Sequence, residues 1–545
     1  MRGIETNKSS IRHRVFTEVA RFAYENGTRE DFARIPFKIL PGELSHYRSN
    51  IFIERAVLGE RLRSAMGMPV RDASQSGPLF EGLEKADTAE TYYTPPLIDI
   101  ISFACNACPE KRVIVTEGCM GCLEHPCMEV CPKEAITMKH GRSHIDQSKC
   151  IKCGKCADVC QYNAIIKQER PCTKACGAGA IGSDSEGRAV IDHTKCVSCG
   201  QCLVHCPFGA IVDKSQIYQC IKAINNGDEV FAAIAPAFVG QFGEDADNMR
   251  VRPLLKRLGF ADAREVAIGA DLCTVAEARD FIEEVPEKIP FMATSCCPAW
   301  AAFAKRNYPG MKENISMALT PMVLTARMIK KRHPGCKVAF IGPCSAKKLE
   351  AMRHSIRSDV DFVLTFEEVA GMMEAKDVCF EDIREEEFLP LDFGSGDGCG
   401  FAHSGGVAEA VKNRIKQIDP NREVKIARAE GLSECKKMLA LAKAGKYNGY
   451  LLEGMGCPGG CVGGAGTIKA PEATEKLLMK NVAAKQDRTP IESRYLFMLE
   501  NLEERTQLLN ADFSENAEAW EHDTFYEAST RKKKKKPEPA EAPEA

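Results

Sequence analysis

Cys150–Ile165 reads CIKCGKCADVCQYNAI, and Cys196–Ile211 reads CVSCGQCLVHCPFGAI. In both stretches the cysteines are spaced CxxCxxCxxxC, and an Ala-Ile pair follows the fourth cysteine at one fixed offset. Ala-Ile stands at the same offset after Cys131 (CPKEAI) and Cys176 (CGAGAI), and the two long runs open alike, IDQSKC before Cys150 and IDHTKC before Cys196. The segment is therefore built from repeats of one cysteine-bearing unit. Soft thiolates crowded this tightly suit a cluster of several irons, with tight turns wrapping three of them round one object.

Working outward, sixteen of the 27 cysteines lie between Cys105 and Cys206. Such density means a disulfide scaffold or a metal-loaded one. The opening MRGIETNKSS has no apolar export core, so the expectation is a reducing, cytoplasmic setting in which thiols are metal ligands. The spacing resembles that of bacterial ferredoxins, where three thiolates of a run bind one 4Fe-4S cube and the fourth reaches across to a second. Cys119, Cys122, Cys127 and Cys131 form a looser variant of the same run. Cross-pairing then predicts one cube on Cys119, Cys122, Cys127 and Cys160, and a second on Cys150, Cys153, Cys156 and Cys131. A third falls on Cys196, Cys199, Cys202 and Cys176. Cys172 and Cys206 are left over and need partners, which Cys105 and Cys108 supply as an upstream CxxC. That fourth set competes with zinc binding or free thiols at Cys105 and Cys108, and a lone CxxC is commonly a zinc knuckle.

Outside this segment the composition is ordinary, and the whole chain of 545 residues carries 73 basic and 76 acidic residues, a net charge of -3. That balance gives no reason to expect nucleic acid or an anionic membrane as partner, and no apolar run is long enough to span a bilayer. Residues 1–100 contain helix-like amphipathic stretches (Thr17–Gly27, Ile53–Gly67) and no recognisable chemistry. Residues 101–226 form the cysteine-rich domain. From 227 to 485, apolar runs such as VFAAIAPAF, IPFMATSC, KVAFIGPC, DFVLTF and NGYLLEGM alternate with helical patterns, which reads as α/β layering. Residues 486–530 read as a charged helical segment, and 531–545, RKKKKKPEPAEAPEA, as a disordered tail.

Three motifs in the α/β half each follow a strand-like run: TSCCPAW (Thr294–Trp300), GPCSAKKLE (Gly342–Glu350) and EGMGCPGGCVGG (Glu453–Gly464). Ligands at strand ends are how α/β sheets build sites, and Cys297, Cys344, Cys457 and Cys461 offer four more thiolates. These motifs, in this order, closely resemble the signature loops of iron-only (FeFe) hydrogenases over roughly Val230–Ala484. The resemblance implies a multidomain α/β and α+β chain, with duplicated ferredoxin-like 4Fe-4S modules followed by an α/β hydrogenase catalytic domain. It implies an H-cluster, a cube on Cys297, Cys344, Cys457 and Cys461 bridged through Cys461 to a diiron unit bearing carbonyl, cyanide and a dithiolate. It also implies four further cubes, reversible interconversion of dihydrogen with protons and electrons, ferredoxin or a similar low-potential carrier, and maturation proteins for the diiron unit.

By the same resemblance Lys347 and the backbone of Ala235-Pro236-Ala237 face the cyanides, and Met455 packs on the diiron unit. Cys296 relays protons, continuing through Glu277 and Ser316 to Asp280. Each has a plainer reading: a solvated lysine pair, a small buried thiol, a helix with exposed carboxylates. Two departures stand out. Gly342 precedes Pro343-Cys344 where Met is usual, and Met322 fills a usually polar place. They keep alive a dihydrogen sensor of low turnover. An iron-sulfur assembly protein is another rival, opposed by the adjacent Cys296-Cys297, Lys347 and the complete third loop. No GK[ST] phosphate loop occurs.

Overall fold

A computed structural model describes residues 3–87, 96–243, 246–353, 356, 358–391 and 394–491. Most of the expected charged helical segment at 486–530, and all of the tail at 531–545, lie outside the described residues.

Two parallel sheets form the frame of the second half. The first has strand order β10-β9-β12-β13, from Asp262–Glu265, Val230–Ile234, Lys337–Gly342 and Phe362–Thr365. The second has order β11-β15-β14, from Phe291–Ala293, Tyr450–Met455 and Lys425–Glu430, and a bridge from Ala293 to Ile315 extends its β11 edge. Central strands β9 and β12 are apolar runs buried along nearly their whole length, as parallel strands covered by helices on both faces must be. The edge strands β10 (DARE) and β14 (KIARAE) keep an open face and read as polar segments, so the periodicity of the sequence does not reveal them.

The cysteine-rich segment consists of small antiparallel pairs in a nested order. Inner pair β3–β4 (Ile136–Lys139, Arg142–Ile145) is enclosed by outer pair β2–β5 (Arg112–Val115, Ile165–Gln168). Inner pair β6–β7 (Ile181–Ser183, Ala189–Ile191) is enclosed by β1–β8 (Ile98–Ile100, Ile211–Asp213). Because β1 precedes β2, the first unit is inserted into the leading half of the second. Cys105 and Cys108 lie before the insertion, and Cys172 and Cys176 after it. Rejoined, they repeat the pattern of Cys119, Cys122, Cys127 and Cys131. The linear sequence hides this kinship behind the 63 residues between Cys108 and Cys172.

The amino-terminal helices (Asn7–Tyr24, Arg29–Ile39, Ile51–Ala65) share a single apolar core with β9, β12 and β13 through Val15, Phe16, Val19 and Phe32. Thr6 and Thr28 start the first two with reciprocal capping hydrogen bonds. Asn7–Tyr24 approaches the helix Phe366–Lys376 so closely that a Cβ on Gly371 would sit 2.7 Å from that of Phe16. Helix Ile217–Asn225 joins this core too. The described helices of the first hundred residues thus buttress the first parallel sheet.

Candidate functional site

The carboxyl ends of β9, β11, β12 and β15 point to one place, and each continues into a quoted loop. The loops interlock through the backbone. Gly456 donates to Cys297 Sγ at 3.3 Å, Gly466 donates to the Pro343 carbonyl at 2.7 Å, and Ala235 donates to the Ile341 carbonyl at 2.8 Å. A Cβ on Gly464 would lie 2.3 Å from the Pro343 oxygen, so only glycine lets the third loop lie on the second. Ala235, Pro236 and Ala237 turn away from β9 as buried backbone, and Met455 ends β15 at 2% exposure.

Cys297, Cys344, Cys457 and Cys461 meet at this junction. Burial, then the charges of Cys344, Cys297 and Cys457, push the Cys461 thiol far up, with Lys347 opposing. Burial first and Cys297 next raise Cys344 to about 11, again against Lys347. Four thiols gathered in a water-poor pocket, with Cys344 and Cys461 raised by burial and by their neighbours, fit a multivalent metal cluster, which would hold all of them as thiolates. Lys347 opens a short helix, Ala346–Glu350, and is fixed by Glu350 at 2.7 Å and by the Cys296 carbonyl at 3.2 Å. Burial would discharge it, but Glu350 and the neighbouring thiols hold its pKa above the usual lysine value. The plainer expectation of a solvated lysine pair fails at both positions, since Lys348 is fully buried.

Cys296 faces carboxylates. Burial first, then Glu277 and Glu453, raise its thiol pKa. Glu277 is itself fully buried on the helix Ala267–Glu284. Desolvation lifts it to about 7, against the Ser316 hydroxyl and the Ser295 amide, with Asp280 and Glu453 adding repulsion. Its Oε2 has no partner in hydrogen-bonding geometry among the described residues. One helical turn on, Asp280 is 24% exposed, and burial outweighs Arg279 to raise it to about 6. Cys296, Glu277, Ser316 and Asp280 therefore form a run of titratable or hydroxyl groups from the loop junction to the surface. The exposed carboxylate pair of the plainer reading is only half present.

Sequence reasoning missed Glu453, which sits fully buried inside an apolar strand and accepts from the amides of Gly405 at 2.6 Å and Ala408 at 2.7 Å. A lone acid within NGYLLEGM was the available signal. It also missed a buried ion network behind the second loop. Asp213 accepts from Ser345 at 2.8 Å, Arg12 at 2.8 Å and Lys348 at 3.4 Å, and Lys348 reaches Glu368 at 2.6 Å. Burial opposes the Asp213 charge, but Arg12 and Lys348 prevail and hold its carboxyl well below the usual range. This network ties helix Asn7–Tyr24, strand β8 and the second loop together.

The other sixteen cysteines gather as follows. Cys131, Cys150, Cys153 and Cys156 line one cavity, and Cys105, Cys108, Cys172 and Cys206 line another, each with about 320 Å³ of empty space. Cys202 lies within the electrostatic reach of Cys196 and Cys176, and Cys199 within that of Cys202 and Cys196. Cys119 and Cys127 meet at Ser143 (3.4 and 3.3 Å), Cys160 packs into the same small core, and Cys122 stands half-buried on the adjoining turn. Among the described residues no three Cys, His, Asp or Glu side chains close round a single ion. Cys199 also feels Cys457, Gln201 donates to the Gly463 carbonyl at 3.3 Å, and Arg306 donates to the Cys196 carbonyl at 2.8 Å. The third quartet abuts the loop junction directly. All these thiols are free of disulfides.

A parallel α/β frame carrying interlocked thiol loops, fed by ferredoxin-like units, defines a multi-cluster iron-sulfur redox protein. The comparisons narrow the class. Residues 228–465 match the description "Iron only hydrogenase large subunit, C-terminal domain", and residues 118–165 and 149–210 each match "4Fe-4S dicluster domain". The chain is 30% identical to the periplasmic Fe hydrogenase large subunit of Nitratidesulfovibrio vulgaris over 61% of its own length and 88% of that protein. It is 28% identical to Iron hydrogenase 1 of Clostridium pasteurianum over 71% of this chain and 76% of the relative. It belongs to the iron-only hydrogenase family. Human nuclear prelamin A recognition factor is 27% identical over 45% of this chain and 65% of its own length, so the wider kinship includes proteins not named as hydrogenases. Among solved structures, an apo FeFe hydrogenase from Chlamydomonas reinhardtii aligns with 52% of this chain and 93% of its own at 19% identity, with a TM-score of 0.44. No helix among the described residues is long and apolar enough to cross a membrane.

Proposed function

We propose that this protein is a hydrogenase that interconverts dihydrogen with two protons and two electrons and exchanges the electrons with ferredoxin or a similar low-potential carrier. The observation that carries the reading is the meeting of a four-thiol junction with a run of proton-carrying groups that ends at it, Cys296, Glu277, Ser316 and Asp280. A pure electron-transfer protein or an assembly scaffold has no use for a buried carboxyl held near neutrality beside its cluster.

Cys297, Cys344, Cys457 and Cys461 would hold the cube of the H-cluster. Lys347, Met455 and the backbone of Ala235, Pro236 and Ala237 would enclose its diiron unit. When bound, that group supplies the metal centre at which dihydrogen is split or formed. The chain supplies the proton path. Cys296 holds a proton at Sγ and exchanges it with Glu277, whose pKa of about 7 lets it accept and donate with nearly equal ease at neutral pH. Ser316 and Asp280 carry it to solvent. The four upstream quartets would hold cubes, with Cys176, Cys196, Cys199 and Cys202 nearest the site and Cys105, Cys108, Cys172 and Cys206 filling the fourth. A cytoplasmic setting and dedicated maturation proteins complete the reading.

The sensor reading rests on the second loop. Gly342 ends β12, where a Cβ would meet the Phe340 ring at 2.2 Å, and Met322 is buried at 1% exposure. One experiment separates the two. Anaerobically matured protein is assayed for dihydrogen evolution from reduced methyl viologen beside Cys296→Ala at equal iron content. Rapid evolution that falls at least about a hundredfold in the variant supports the hydrogenase with its relay. Slow evolution from fully loaded wild type favours the sensor, and equal rates in both would overturn the proton path.

A further inference from the structure

The quartets follow one another in space. Cys457 of the loop junction lies near Cys199 of the third quartet, and Cys202 of the third lies near Cys172 of the fourth. The fourth is joined to the inserted unit at Arg170, which is buried and donates to the Cys108 carbonyl at 3.1 and 2.9 Å two residues after β5 ends. The inserted unit, residues 112–168, is therefore the far end of the row. Its solvation differs from the rest. Of the twenty thiols assigned above to clusters, Cys153 is the single exposed one. Ile151 beside it is 55% exposed. Lys133, Ile151, Cys153 and Lys155 line the same cavity, and Lys152 projects from the same loop.

This face also carries mostly one sign of charge. On the rest of the inserted unit the charges are mixed in sign: Lys167 pairs with Asp158 and Arg142 with Glu117, and exposed Lys139 and Lys149 are balanced by exposed Glu124 and Glu129. In the second unit Arg188 is paired with Asp184, and Lys195 with Asp192. Among the described residues Lys133, Lys152 and Lys155 belong to no ion pair, and Glu134 is the one exposed carboxylate in the adjoining turn. An apolar centre ringed by uncompensated lysines, over the outermost thiol of an electron row, has the composition of a transient redox interface.

We propose that the face formed by Lys133, Ile151, Lys152 and Lys155 around Cys153 is where the electron carrier docks, and that the carrier is a small acidic protein with its own low-potential iron-sulfur cluster. The proposal rests on the hydrogenase reading for its direction of electron flow, while the binding itself is independent of it. Lysines steer an acidic partner over about a Debye length and fix its approach, and Ile151 provides the dry contact beneath. Neutral or cationic carriers gain nothing from this face.

The test uses anaerobically matured full-length protein with an acidic 4Fe-4S ferredoxin as probe. In Lys152→Glu/Lys155→Glu, kcat/KM for the reduced ferredoxin should fall at least about tenfold, and ferredoxin binding by calorimetry should weaken alongside. Evolution from reduced methyl viologen, a small cation, should stay within about twofold of wild type. The wild type gives a second test that needs no variant: its ferredoxin rate should drop steeply between about 0.05 and 0.5 M salt while its viologen rate does not. Ferredoxin kinetics and binding unchanged by the charge reversal, or a wild-type ferredoxin rate indifferent to salt, would overturn the docking face. A wild type that binds ferredoxin in a lysine-dependent way yet evolves no dihydrogen from viologen would instead sink the hydrogenase reading and leave the face standing.

Discussion

Lys348–Glu368 and Lys167–Asp158 are ion pairs of nearly equal length, 2.6 and 2.8 Å. The first has both side chains at 0% exposure behind the second loop, and the second stands on the inserted unit at 50% and 66%. The same contrast holds for the thiols, since Cys461 is pushed far up by burial and by its neighbours while Cys153 faces solvent. Distance alone therefore says little about what a contact does here. Beneath the second loop Lys348, Glu368 and Asp213 have been removed from water and depend on one another. On the inserted unit Lys167 and Asp158 keep their hydration and are open to a visitor.

The largest effect expected from this contrast follows Lys348→Met. The variant keeps the side-chain length but leaves Glu368 and Asp213 buried without their shared cation, and Arg12 alone cannot offset both. A loss of about 3–5 kcal/mol is expected, measured as a lower anaerobic denaturation midpoint. Iron bound at the loop junction should fall with it, because Ser345 and the second loop hang from Asp213. A variant within about 1 kcal/mol of wild type would mean that the network is hydrated after all.

Glu277→Gln comes next and has a signed pH dependence. The native pKa of about 7 lies above the ordinary 4.5, so the native state binds the proton more tightly than the unfolded chain. The stabilisation from that proton is complete below pH 4.5 and is lost as pH rises through 7. A rise of that size is worth about 3 kcal/mol. The variant should match wild type near pH 5 and exceed its stability by up to about 3 kcal/mol at pH 8, while dihydrogen evolution falls at least about a hundredfold. Equal stability at both pH values would mean that Glu277 is hydrated or already ionised in the fold.

How much of this was legible in the sequence depends on the same contrast. The cysteine spacing announced the clusters because three thiolates of a cube come from one short run, with only the fourth crossing from another. Strands β9, β11, β12, β13 and β15 were visible because all are apolar runs buried on both faces, β11 and β13 included although they end their sheets. Edge strands β10 and β14 were not, since half their side chains meet water. The proton-path residues were reached through the family's motifs, while the depth of Glu277 was hidden because a carboxylate on a helix ordinarily faces solvent. Lys348 read as surface for the same reason, its partners Asp213 and Glu368 lying far away in the chain. The fourth quartet could be counted but not explained, as the insertion separating Cys108 from Cys172 disguises a pattern that the neighbouring unit shows intact.

Gly342→Ala probes the boundary between the loops and their sheet. The added methyl would meet the Phe340 ring edge at 2.2 Å. That ring is itself buried at 2% exposure in the main core, so it has little room to turn. A cost of about 1–3 kcal/mol is expected from overpacking, read from the denaturation midpoint. A neutral result would show that the second loop is less tightly packed than its burial suggests.

Asp158→Asn is the smallest and completes the contrast, because it breaks an ion pair about as short as the one beneath the loops. Both partners keep water after the change, so Lys167 loses only a screened attraction, and a cost of no more than about 1 kcal/mol is expected, vanishing in about 0.5 M salt. Its informative effect is on charge. Freeing Lys167 adds a cation to a unit already basic around Cys153, so an acidic carrier should be bound slightly faster while methyl viologen kinetics hold still. A stability loss as large as that of Lys348→Met would mean that the inserted unit's surface is covered in the folded protein, and that its open charges face another part of the chain and not a carrier.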